Sequence, residues 1–189
     1  MNNTLFINAC ARPDSRTNFL AQHILNKLKG QVNTLNLYSE DLPPLDYEQL
    51  KTRDEYIASG DFSSPVFKYA KEFASADTIV IAAPYWDLAF PSVLRIYLEH
   101  ITVSGVTFNY SPEGIPIGLC KAKRLIYVTT SGGPIVKNLG YDYIKALSDD
   151  FYGIQDVKCF KAENLDIAGA DVENILQEAI QNIESTEFN

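Results

Sequence analysis

The chain has 189 residues, 46% of them hydrophobic, and its 16 Lys and Arg against 24 Asp and Glu give a formal net charge of −8. No Pro/Gly/Ser-rich linker interrupts it, so a single domain over 1–189 is expected, and the acidic balance argues against nucleic acid and anionic membranes as partners, since both need basic surface. Cys10, Cys120 and Cys159 are far apart with no CxxC pair, which argues against a disulfide framework or a zinc site, and polar Asn2-Asn3 runs straight into an apolar segment without a basic leader; a cytoplasmic protein without bound metal is predicted.

In chain order, residues 4–7 read as a buried first strand, and residues 19–29 as a helix with Leu20, Ile24 and Leu28 on one face and Gly30 as its stop. Residues 32–37 alternate apolar and polar like a second strand, and Pro43-Pro44 then breaks regular structure. The polar stretch Tyr47–Ser59 reads as an exposed helix. Val66, Tyr69, Ala70 and Phe73 fall at helical spacing and lead into a third strand at residues 78–83.

Val93, Leu94, Tyr97, Leu98 and Ile101 form the stripe of the next helix. Val106-Thr107-Phe108-Asn109-Tyr110 alternates like a hairpin arm and ends at the turn-rich Ser111-Pro112-Glu113-Gly114. Residues 125–129 make a fourth core strand, 141–151 a helix, 157–160 a fifth strand, and Val172, Ile175, Leu176, Ala179, Ile180 and Ile183 a final amphipathic helix. Strands alternating with helices predict an α/β domain: a doubly wound, five-stranded parallel sheet in the flavodoxin-like order 2-1-3-4-5, with helices on both faces.

Open sheets of this kind bind ligands outside the carboxyl ends of their strands, and three loops there carry different chemistry. After strand one, Ser15-Arg16-Thr17-Asn18 offers hydroxyls, a guanidinium and the positive end of a helix, which together suit a phosphate; simple N-capping by Ser15 or Thr17 is the competing reading. After strand three, Pro84-Tyr85-Trp86-Asp87-Leu88 offers aromatic faces and the backbone N–H groups of Asp87 and Leu88, although such aromatics also serve as core anchors. After strand four, Thr130-Ser131-Gly132-Gly133 lets backbone approach a ligand closely, or is an ordinary turn.

Neither GxGxxG nor GxxxxGK[ST] occurs, so a dinucleotide fingerprint and a P-loop find no support. Phosphate-compatible, aromatic and glycine-rich loops in that order suit a mononucleotide with a large planar ring, and FMN fits. With the chemistry on flavin N5, no side chain need be catalytic, and neither His23 nor His100 is required.

These three motifs, with Gly105-Val106-Thr107-Phe108-Asn109-Tyr110, make the chain resemble FMN-dependent NAD(P)H oxidoreductases of the azoreductase and quinone reductase type over nearly its whole length. The resemblance implies ping-pong hydride transfer from NADH or NADPH to quinones, azo compounds or similar electron-poor acceptors. It places FMN on Ser15, Arg16 and Thr17, on Pro84, Tyr85, Trp86, Asp87 and Leu88, and on Thr130, Ser131, Gly132 and Gly133. It further implies a homodimer with shared active sites and puts Tyr110 in the substrate pocket. A flavodoxin-type electron carrier and a flavin-free binding or sensor protein are the rival readings.

The chain departs from the family pattern in two places. Tyr85-Trp86-Asp87-Leu88 stands where Met-Tyr-Asn-Phe is common, so a carboxylate replaces an amide near the ring, and Asp87 is expected to point away and bind through its backbone. A loop Ser found in some relatives is missing near Ala9-Cys10-Ala11, which leaves Arg16 to compensate by pairing with the phosphate, or else to face solvent as Arg12 would.

Overall fold

The computed structural model describes residues 2–188. Its centre is a parallel sheet of β1 (Asn3–Asn8), β2 (Gln31–Asn36), β3 (Thr78–Ala82), β6 (Arg124–Thr130) and β7 (Asp156–Ala162), in the order β2-β1-β3-β6-β7. Counting core strands alone, this is the expected 2-1-3-4-5. A separate antiparallel hairpin joins β4 (Phe108–Tyr110) to β5 (Pro116–Gly118).

Period-two alternation divides the core between the two faces of the sheet. Ile7, Ile81, Tyr127 and Cys159 stand side by side in register, and Leu5, Ile7, Ile79, Ile81, Leu125 and Tyr127 pack toward α3 (Lys68–Ser75), α4 (Ser92–Ile101) and α5 (Leu139–Leu147). Phe6, Val80, Ala82, Ile126 and Val128 point the other way, toward α1 (Arg16–Lys27) and α6 (Val172–Ser185). Each fully buried Ile, Leu or Phe contributes about 1.5–3 kcal/mol of transfer free energy. The outer helix α2 (Tyr47–Ser59) has no buried residue and is held at its start by a capping box between Asp46 and Gln49.

Several boundaries differ from the sequence pattern: α1 ends at Lys27 with Leu28 as its C-cap, ahead of the expected stop at Gly30, and three further differences have a clear local cause. Helix α1 begins at Arg16 rather than Phe19 because Ser15 caps it, its hydroxyl accepting the Asn18 N–H at 3.3 Å. The helix expected over 141–151 is instead α5 followed by a wider turn at Ser148–Tyr152, which Gly153 ends at φ 73. In that turn the Ser148 hydroxyl donates to the Ile144 carbonyl at 2.8 Å, competing with the regular ladder. Leu37, read as the end of strand two, lies in a short 3₁₀ turn after β2, buried at 1% exposure while β2 itself buries only Leu35. No helix among the described residues is long and apolar enough to cross a membrane.

Candidate cofactor site

Ser15 sits at the N-cap of α1, which leaves Arg16 and Thr17 at the first two helical positions. Their N–H groups are among those a helix cannot satisfy internally, and neither donates to any backbone carbonyl outside the helix among the described residues. The cap and the phosphate reading therefore coexist: the Ser15 oxygen holds Asn18 N–H, and the two preceding N–H groups remain for an anion at the positive end of the macrodipole. The Thr17 side chain is otherwise engaged. It is 1% exposed, with its Oγ1 2.6 Å from Thr130 Oγ1, so it ties α1 to the end of β6.

The loop after β3 is a tight reversal. Trp86 and Ala89 exchange backbone hydrogen bonds across Asp87 and Leu88, both at positive φ (50 and 70), a type I′ geometry usually given to Asn-Gly. A branched Leu there stores backbone strain. The surroundings enforce it: Tyr85 N–H donates to Thr130 O at 2.9 Å, Tyr85 OH to Lys137 O at 2.9 Å, and Leu139 N–H to Leu88 O at 3.1 Å. Gly140 admits the close approach, since a Cβ there would lie 3.1 Å from the Ala89 carbonyl carbon. The Asp87 and Leu88 N–H groups find no backbone acceptor among the described residues, and both residues are exposed.

The loop after β6 is fastened to the loop after β7. Leu165 N–H donates to Ser131 O (3.1 Å), Asp166 N–H to Gly132 O (2.9 Å) and Asn164 N–H to Gly133 O (3.2 Å). Gly132 leaves room for the Asp166 carboxylate, since a Cβ there would come within 2.3 Å of Asp166 Oδ2 and push that side chain aside. Arg16 reaches across to this loop, its Nη1 donating to Leu165 O at 3.1 Å and to Asp166 Oδ1 at 2.9 Å.

Between these loops lies a cavity of about 250 Å³. Of the residues expected from sequence, Ser15, Arg16, Thr17, Pro84, Tyr85, Trp86, Thr130, Ser131 and Gly132 line it; Asp87, Leu88, Gly133 and Tyr110 do not. Ala11, Arg12, Asp14, Leu165 and Asp166 also line it. The β7 loop was missed because its residues form no motif, although the strand-end rule for open sheets covers it as well as the other three. Arg16 is anchored by Asp166, whereas the sequence alternatives were a phosphate or free solvent.

Cys10 lies beneath the α1 turn, 6% exposed, its Sγ 3.6 Å from the Ala82 carbonyl. Burial pushes its thiol pKa up, against opposing contacts from Ser15 and the Asn18 N–H. A raised pKa makes it a poor nucleophile. His100 contacts the Pro43 carbonyl at 2.8 Å through Nε2, consistent with a packing role.

The donor set fits a flavin mononucleotide: helix-end N–H groups, the Ser15 hydroxyl and two guanidiniums for a phosphate, and aromatic and backbone polar groups for a ring. Residues 2–186 match a protein family defined by the flavodoxin-like fold. The chain belongs to this flavodoxin-like family. Within it, the chain is 34% identical over 199 residues to an FMN-dependent NADH:quinone oxidoreductase of Clostridium beijerinckii, with 100% of both chains covered. A second such enzyme, from Clostridium acetobutylicum, is 36% identical with 96% of both covered. An FMN-dependent NADH-azoreductase from Bacillus anthracis, solved in complex with FMN, superposes with a TM-score of 0.80 at 25% identity over 97% of this chain and 96% of that one.

Proposed function

We propose that this protein is an FMN-dependent NADH:quinone oxidoreductase, with azo compounds as further acceptors. The observation that carries the reading is the meeting of unused N–H groups from α1 with the Trp86 loop and the Ser131-Gly132 loop around one cavity. The end-to-end relatives support it by being named as FMN- and NADH-dependent enzymes, which favours catalysis over electron carriage or flavin-free sensing.

FMN, when bound, supplies the two-electron chemistry. The chain's own residues bind and orient: Ser15 with the Arg16 and Thr17 N–H groups takes the phosphate, and Trp86 flanks the ring. The Asp87 and Leu88 N–H groups, which follow Trp86 and do not line the cavity, would serve only polar ring atoms that extend beyond it, held in place by the strained reversal. This division of labour needs no acid or base from the protein.

A homodimer completes the reading. Tyr110 is 54% exposed and outside the cavity of its own chain, and it shares its hairpin with Ile115, Ile117 and Leu119, which are 61%, 52% and 45% exposed. Such an apolar patch suits a second copy, whose Tyr110 would then wall the acceptor side of the site. A cytoplasmic location agrees with the three free cysteines and with NADH as donor.

The test is to release the chromophore by heat, identify it, and follow NADH oxidation with menadione while measuring solution mass. FMN, turnover and a mass twice that of the 21.1 kDa chain are expected. A colourless protein that takes up no added FMN overturns the reading.

A further inference from the structure

We propose that Asp166, through its bridge to Arg16, makes this site select FMN against FAD; the proposal rests on the phosphate position assigned above. FMN ends at its phosphate, whereas FAD continues from that phosphate through a second one to adenosine. Whatever extends beyond the first phosphate must leave the cavity past the N-terminus of α1. The Arg16–Asp166 bridge lines the cavity there, joining the first helical residue to the loop after β7.

The bridge is an exposed pair, with side-chain exposures of 42% and 69%, and an isolated pair of this kind is easily displaced. Here its geometry is fixed from behind. Asn164, Leu165 and Asp166 donate their N–H groups to Gly133, Ser131 and Gly132, and Asn164 takes a left-handed φ of 64 to enter that register. The same Arg16 Nη1 also donates to the Leu165 carbonyl, so the guanidinium is held at two points. Close contact with Gly132 further limits the Asp166 carboxylate.

The charge pattern completes the argument. Asp14 and Asp166 both line the cavity, alongside Arg12 and Arg16. One terminal phosphate needs only the helix N–H groups and a guanidinium already neutralised by its partner carboxylate. A diphosphate would bring its second anionic group to Asp166 and would have to part the bridge to pass. Discrimination of this kind comes from repulsion placed against the wrong ligand, not from added attraction to the right one.

The experiment is a competition. Purified protein is equilibrated with equal excess FMN and FAD, and the flavins retained after filtration are separated and quantified. The wild type is expected to retain FMN over FAD by about tenfold or more, and Asp166→Asn and Asp166→Ala to shift that ratio toward FAD by about tenfold. The backbone bonds of Asp166 survive either change, and far-UV circular dichroism checks folding. A wild-type ratio near one, or a ratio unmoved in both variants, overturns the proposal. Wild-type protein that retains neither flavin overturns instead the phosphate assignment beneath the proposal, so the two failures are told apart.

Discussion

The two ends of the parallel sheet are built from the same strands and treat their backbone polar groups in opposite ways. At the amino end, Asp77 closes every bond it can. Its carboxylate accepts the Asn3 N–H at 2.9 Å and pairs with Lys121 at 2.7 Å, while its own N–H and carbonyl bond Asn3 and Lys123. At the carboxyl end, the N–H groups of Arg16, Thr17, Asp87 and Leu88 have no backbone acceptor outside their own elements, and two residues sit at strained positive φ. Three of these four residues are exposed, so their N–H groups are free to meet a ligand, and under the proposed function the carboxyl end is the binding end. The amino end is built to hold.

That contrast is open to attack by mutation. The largest effect is expected at the carboxyl end: replacing Ser15, Arg16 and Thr17 together by Ala removes charge-assisted and hydroxyl contacts worth about 1.5–3 kcal/mol for the charged one alone. Flavin content of the purified protein should then fall at least tenfold. Retention at the wild-type level would show that neither the Ser15 hydroxyl nor the Arg16 guanidinium holds the phosphate.

Next comes Trp86→Ala, which removes a ring 43% exposed at the cavity wall. Loss of about 0.5–1.5 kcal/mol of ring–ring interaction, with some buried area, should weaken FMN binding by roughly tenfold in a fluorescence titration and leave the melting temperature close to unchanged. A large stability loss with intact affinity would make Trp86 a core anchor instead.

A smaller effect of opposite sign is expected for Leu88→Gly. The 48% exposed side chain contributes little burial, and glycine relieves the left-handed strain at φ 70. Stability measured by urea unfolding should rise by about 1 kcal/mol, less the entropy that glycine adds to the unfolded chain. A marked loss would mean that Leu88 packs against something essential.

At the amino end, Asp77→Asn should leave flavin content untouched, lower stability at neutral pH and flatten the acid response. The hydrogen bond from Lys121, aided by the Asn3 N–H, holds the Asp77 carboxyl below its ordinary value. A carboxyl depressed in the folded state stabilises above its unfolded pKa of about 4, and that contribution is lost as pH falls through the lower folded value. The variant should therefore lose less stability than wild type between about pH 5 and 2. An identical acid profile would remove Asp77 from the account.

The smallest signal is chemical. Burial pushes Cys120 and Cys159 up to about 12 and raises Cys10 as well. Native protein at pH 8 should thus react far more slowly with iodoacetamide than urea-unfolded protein does.

What the sequence determined by itself is the periodic part. Residues 4–7, 78–83 and 125–129 are apolar runs between amphipathic helices, which allow one layered arrangement and place three chemically distinct loops on its carboxyl rim. Local capping was legible too, since Ser15 needs only its own helix to act. The tertiary structure alone decided which side chains those loops give to the cavity. Thr17 turns inward to Thr130, and Arg16 meets Asp166, 150 positions away. No periodicity encodes such pairs: they arise where β7 ends beside β6, and strand order fixes that neighbourhood only after the whole sheet has formed.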